Sequence, residues 1–243
     1  MKAMYFKELS SFFSSRIAYV VIGTFLILLG LILWVFPDTS VLDNNYAQLD
    51  PLFAIAPLVF MFLIPALTMR SFAEEYNSGT MELLYTKPVS ELKLVMSKYA
   101  AYCSIVGIAL LPTLIYYYSI YQLGAPKGNL DSGAIIGSYI GLFYLSAVFV
   151  AIGIFSSSLT KNQITAFVIG TFLCFFFTWF FEFVSGLSIF YGSVDDIVER
   201  IGINFHYSSM SKGVIDSRDV IYFISVSVFF LILTHFIIKS KRI

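Results

Sequence analysis

Residues 132–160 read SGAIIGSYIGLFYLSAVFVAIGIFSSSLT, 29 consecutive positions without an Asp, Glu, Lys or Arg. A helix crosses the hydrocarbon core of a bilayer in about 20 residues, so this run is long enough to span one. Five more uncharged runs lie at 17–37, 51–69, 99–126, 162–181 and 220–238, each of at least 19 residues. Of the 243 residues, 58% are hydrophobic and only 12% charged, whereas an average soluble domain carries about 25% charge. A soluble enzyme is therefore excluded. Inside lipid the backbone must satisfy its own polar groups, which predicts an all-α integral membrane bundle. The connecting stretches are too short for a soluble catalytic or nucleotide-binding domain, leaving one transmembrane domain over 1–243.

The spans are placed at 17–37, 52–70, 99–122, 133–157, 162–182 and 219–238. Six spans bring both termini to one side, and an excess of Lys and Arg marks the cytoplasm. The N-terminus, the loops after spans two and four, and the C-terminus together hold 11 of the 15 basic residues. The other side holds Lys127, Arg200, Lys212 and Arg218 and most of the acids, among them Asp131, Asp216 and Asp219. Trp34 with Phe36, Tyr116 with Tyr117, Tyr118 and Tyr121, and Trp179 with Phe180 form aromatic belts at the outer ends. Both termini read as cytoplasmic. The first run follows Lys2, Lys7 and Arg16 as a signal peptide would, but its apolar core is too long and no small-x-small cleavage site follows, so an uncleaved anchor is expected.

Within 1–16, Tyr5, Phe6, Leu9, Phe12 and Phe13 share one helical face, which predicts a helix lying along the inner membrane surface. Pro57, Pro65 and Pro112 predict kinks in spans two and three. Residues 183–218 read as an extracytoplasmic region. In it, the uncharged piece 183–194 is too short to cross and suits a re-entrant or interfacial helix, and the acidic 194–202 predicts a short outside helix.

The patterns that carry chemistry are missing from the sequence. There is no phosphate-cradling Gly-x-x-x-x-Gly-Lys-Ser/Thr, no His-Glu-x-x-His, no Cys-x-x-Cys and no Gly-x-Ser-x-Gly. Cys103 and Cys174 sit in apolar runs as small core residues. Ion-coupled transporters keep ionisable groups near the midplane, whereas here only Glu182 and His235 lie near the membrane zone, and both are placed at its interfaces. No catalytic, cofactor-binding or metal-binding residue is expected, and a chain that moves something with these spans must draw its energy from another subunit. Gly133, Gly137 and Gly141 recur every four residues. Such a stripe admits close approach of a helix, from the same chain or from a second copy.

The most charged inner segment, 70–98, reads RSFAEEYNSGTMELLYTKPVSELKLVMSK. Asn77, Ser78 and Gly79 break one helix, Thr80 is expected to cap a short helix over 81–86, and Lys87-Pro88 stops it. Ser90 is expected to cap a third piece that runs into span three. Residues 71–98 thus predict a compact protrusion, with Met81, Leu84 and Tyr85 on an apolar face suited to a partner's groove and Glu82 with Lys87 on a charged one.

Here the sequence resembles the ABC-2 family of ATP-binding-cassette permeases. The family pattern of an acid, a Gly-Thr-x-Glu and a following Pro appears as Glu74-Glu75, Gly79-Thr80-Met81-Glu82 and Pro88. FKELSSFFSSRIAYVVIGTFLILLG at 6–30 and GVIDSRDVIYF at 213–223 match as well, and the likeness is greatest to the gliding-motility-associated (GldF-type) permease subunits. The resemblance implies a six-helix permease with an interfacial N-terminal helix, a coupling helix and re-entrant helices before the last span. It also implies a separate cytoplasmic ATPase, binding ATP and Mg, that docks on Glu75, Gly79, Thr80, Met81, Glu82, Leu84, Tyr85, Lys87 and Pro88. A second membrane subunit with a large periplasmic region, a bacterial inner membrane and no nucleic-acid partner complete the picture. An alternative is a non-transporting, ATPase-coupled scaffold or mechanotransmission subunit of a cell-envelope machine. A third, a lipid-acting enzyme, would make Glu182 or His235 essential.

Overall fold

The computed structural model describes residues 2–37, 39–42, 47–86, 89–186 and 195–241, and every regular element among them is a helix. In chain order these are α1 (Lys2–Ser14), α2 (Arg16–Trp34), α3 (Asp50–Thr68), α4 (Arg70–Asn77), α5 (Thr80–Tyr85), α6 (Glu91–Leu110) and a 3-10 turn (Leu111–Thr113). Then come α7 (Leu114–Leu123), α8 (Ser132–Leu159), α9 (Gln163–Phe175), a π-helical segment (Phe176–Phe180), α10 (Phe181–Ser185), α11 (Asp195–Glu199), α12 (Ile203–Met210) and α13 (Ser217–Lys241). Among the described residues, five stretches are long and apolar enough to cross a bilayer: Asp50–Asn77, Glu91–Leu123, Ser132–Leu159, Gln163–Ser185 and Ser217–Lys241. A sixth is reached when α1 and Ala18–Trp34, bent by 71° relative to each other, are taken as one.

The prolines expected to kink spans two and three leave different marks on the helices. Pro57 and Pro65 sit inside α3 without ending it. A helical proline leaves the carbonyl four residues back without its donor. For Pro57 that carbonyl is Phe53 O, and the buried Tyr207 hydroxyl of α12 donates to it at 2.8 Å. A neighbouring helix thus supplies what the kink would otherwise expose. Pro112 does change the helix, turning one stretch between α6 and α7 into 3-10 geometry.

Helix α8 is the axis of the bundle, packed on α3, α4, α6, α9, α12 and α13. Its small residues make that possible. A Cβ on Gly153 would fall on the Thr68 side chain of α3, and one on Gly141 would stand 2.6 Å from Met210 Cβ of α12. The buried Ser157 completes the junction of α3 and α4. Its hydroxyl donates to Met69 O at 2.8 Å and accepts from the amides of Phe72 at 2.9 Å and Ala73 at 3.0 Å. We expect Ser157→Ala to lower stability by about 1–3 kcal/mol, because two buried amides lose their acceptor. Ser158→Ala, whose hydroxyl only returns to Phe155 O of its own helix, should shift the thermal midpoint far less. Equal shifts would remove Ser157 as the junction's closure.

Contacts define two ends. At one lie α1, α4, α5, the start of α6 and the last turns of α8 and α13. There Lys241 Nζ donates to Ser158 O at 2.7 Å and sits 4.4 Å over the Tyr76 ring. Helix α2 runs from this end, where Arg70 reaches Ser15 at 3.5 Å, to the far end, where Trp34 meets Tyr116 edge-on. The far end carries α11, within the stretch expected as a short outside helix, and α12, which no local pattern of residues 203–210 sets apart from its surroundings. Most of the piece read as re-entrant, 187–194, lies outside the described residues.

Candidate functional site

At the first end, α4 turns into α5 through Gly79, whose φ of 71° is the left-handed conformation that glycine adopts without steric cost. This glycine, not Thr80, occupies the N-cap position, and α5 begins at Thr80. The Thr80 hydroxyl lies 2.9 Å from that of Ser78 and donates to Glu75 O, so it ties α5 back to α4 instead of closing the new helix. Ser90 does precede α6, but its side chain makes no capping bond.

The apolar face of α5 is turned inward. Met81 is 2% exposed, Leu84 and Tyr85 pack on the core, and the Tyr85 hydroxyl donates to Ile238 O of α13 at 3.3 Å. The spacing of Met81, Leu84 and Tyr85 predicts a face for a partner's groove, whereas here these side chains pack on the chain's own bundle. What remains outward is Gly79, Thr80, Glu82 and Leu83, the last 65% exposed. Lys87 and Pro88 lie outside the described residues.

Beneath this edge is a charged root. Lys98 of α6, its side chain 1% exposed, holds Glu8 Oε1 of α1 at 2.9 Å and Glu75 Oε1 of α4 at 3.1 Å. It also donates to Ser71 O at 2.7 Å and lies 5.0 Å over the Phe72 ring. An ammonium out of water is tolerated only with this degree of compensation. Lys7 adds a contact of 3.3 Å to Glu75 Oε1 from the exposed side. Arg70 lies 3.4 Å from both Glu74 Oε2 and Gln163 Oε1, linking α4 to the start of α9. A cavity of about 260 Å³ opens here, lined among others by Lys7, Arg70, Glu75, Thr80 and Lys98. Three helices therefore meet on one cation, and displacement of α4–α5 must be felt by α1 and α6.

Glu75 was expected among docking residues and instead faces the root. Glu8 and Lys98 were not singled out from the sequence. The available signal was that Glu8 is the one acid before residue 38, on a helix meant for a membrane surface where an acid gains nothing.

Elsewhere, Gly137 and Gly141 are buried against Gly213 and Met210 of the same chain, while Gly133 is exposed near Asp131. Glu182 is exposed and accepts from Asn204 Nδ2 at 2.7 Å. At the far end His206 Nδ1 stands 2.7 Å from Asp219 Oδ1, His206 Nε2 stands 2.9 Å from Arg200 O, and Ser209 donates to Asp219 Oδ2 at 2.6 Å. These bonds fasten α12 to α13. Among the described residues no group of three or more His, Cys, Asp or Glu could hold a metal ion.

Apolar helices long enough to cross a bilayer, with the Lys98 ion-pair cluster beneath α4 and α5 at one end and the His206–Asp219 pair at the other, define a multi-pass membrane protein. A family model described as ABC-2 family transporter protein matches residues 3–190, and the chain belongs to this family. Its members are transmembrane components of ATP-binding-cassette transporters, which work with an ABC ATPase in a lipid bilayer. Comparison with curated proteins gives no match.

Proposed function

We propose that this chain is the permease subunit of an ATP-binding-cassette system, driven by a separate ATPase that carries the ATP and Mg and grips the outward edge of α5. The observation that carries this reading is the pairing of an exposed edge, Glu82 and Leu83, with a root that joins α1, α4 and α6 through Lys98. Closure of the ATPase pushes α5, and the root passes the displacement into α6 and so into the bundle. A differential contact of about 1–3 kcal/mol between two states suffices for such coupling. In this reading α2, α3, α6–α7, α8, α9–α10 and α13 are the six spans, and both termini are cytoplasmic in a bacterial inner membrane. The exposed stripe Ile164, Val168, Phe172 and Phe175 on α9 offers a face for a second permease-type subunit. The stretches at 6–30 and 213–223 favour a gliding-motility-associated complex.

The test uses the tagged full-length chain purified from its native membrane. Vanadate-sensitive ATP hydrolysis should co-elute with it. Glu82→Lys or Leu83→Asp should reduce that activity about tenfold, the effect of losing a central contact worth ~1.4 kcal/mol. Ile197→Asp at the far end should leave it unchanged. Undiminished hydrolysis in both α5 variants would rule out this docking edge, and no hydrolysis with the unmodified chain would rule out the ATPase partnership.

A further inference from the structure

A groove of about 430 Å³ runs between α6, α8 and α13, on the side of α6 away from the charged root. Leu92 and Met96 line one end, Phe143 and Ile224 the other, and Ala147 is part of its floor. Its wall carries three polar side chains, those of Tyr99, Cys103 and Ser227. Ligand pockets have volumes of about 300–1,000 Å³, mostly apolar walls and a few placed polar groups. This groove fits that description.

Its depth follows from α1. Lys98, next to Tyr99 and about 100° round α6 from it, binds Glu8, and the Tyr5 hydroxyl donates to Ser104 at 2.9 Å. Helix α1 therefore lies beside the turn that holds Tyr99 and Cys103. An amphipathic surface helix rests at the boundary of headgroups and acyl chains. The Tyr99 and Ser227 hydroxyls are then at the level of lipid ester carbonyls, and Phe143 and Ile224 lie further into the hydrocarbon. A second copy of the chain is a poor fit. Thirteen residues line the groove, whereas a stable protein interface takes about 20–30 a side.

We infer that this groove holds one acyl chain of a phospholipid from the leaflet nearest α1, its ester region at Tyr99 and Ser227 and its tail running toward Phe143 and Ile224. The inference rests on the proposed placement of α1 at the inner membrane surface. That placement is checked separately by whether an impermeant amine reagent reaches Lys7 from the cytoplasmic side.

The test places the full-length chain in phosphatidylcholine nanodiscs doped with a phospholipid bearing a mid-chain diazirine. After photolysis, labelled residues are mapped by mass spectrometry. Label on 92–103 and 223–232 should saturate with probe and be displaced by unlabelled phospholipid, while label on the exposed apolar residues 19–31 of α2 rises without saturation. Val228→Trp, at the groove's half-exposed rim, should lower groove labelling about tenfold by filling the volume the chain needs. Label on α2 should not change. Ile232→Trp on the same rim replaces it should the first variant fail to fold. Non-saturating groove label, label indifferent to the tryptophan, or a Cys103–Cys103 cross-link between two copies would each overturn the inference.

Discussion

Lys98→Met is expected to destabilise the folded chain by about 3 kcal/mol, the low end of the loss seen when one partner of a buried ion pair is removed. The low end applies because Glu8 and Glu75 keep 15% and 11% of their side-chain surface exposed, so water softens the exposed repulsion. Without the ammonium, two carboxylates that both approached it face one another, with Lys7 alone between them and solvent. The effect should appear as a lower thermal midpoint in detergent and as release of α1, read by faster proteolysis after Lys2 or Lys7. Adding Glu8→Gln and Glu75→Gln to Lys98→Met should recover most of the loss, because the repulsion goes with the charges. Lys98→Arg should not substitute, since a planar fork needs room that a side chain 1% exposed does not have. If Lys98→Met keeps the parent's midpoint, the three-helix root has no energetic meaning, and the route from α5 into α6 fails with it.

That the chain is a bundle of apolar helices long enough to cross a bilayer is legible because lipid imposes a single demand, about 20 residues free of charge, which the uncharged runs meet. Much of the charged segment 70–98 is legible too: the break at Gly79, the short helix after it, the restart near Ser90. What the pattern could not show is which body an amphipathic face meets. Met81, Leu84 and Tyr85 have the spacing of a docking face, and that spacing is the same whether the groove belongs to a partner or to the chain's own α13. Charge counting has the corresponding blindness. Lys98 enters a positive-inside tally exactly as an exposed lysine would, although its burial is decided by Glu8, ninety residues earlier in sequence. Pro57 is a third case, since the carbonyl it leaves without a donor is met by Tyr207, and no local window contains both.

Gly213→Ala and Gly137→Leu should each cost about 3 kcal/mol or more, from overpacking, to which the first adds about 1 kcal/mol of left-handed strain. Gly213 has φ 83°, and a Cβ there would land on the backbone of Ala134; a Cβ on Gly137 would land on the Gly213 carbonyl. Backbone meets backbone, so no rotamer change relieves the contact. The same junction carries the bond from Ser138 to Ser211 O at 2.8 Å, and it holds α12, whose Tyr207 satisfies the carbonyl freed by Pro57. A side chain at 137 is thus felt in α3. Gly133→Ala should change stability by less than about 0.5 kcal/mol, because that residue is exposed and the nearest atom to its added Cβ is Asp131 Oδ1 at 3.3 Å. Thermal midpoints of the three variants, with size-exclusion profiles of each, decide the matter. An intrachain junction gives unfolding at 137 and 213 with 133 silent. A stripe serving a second copy gives the opposite order, with Gly133→Ala dissociating oligomers that remain folded.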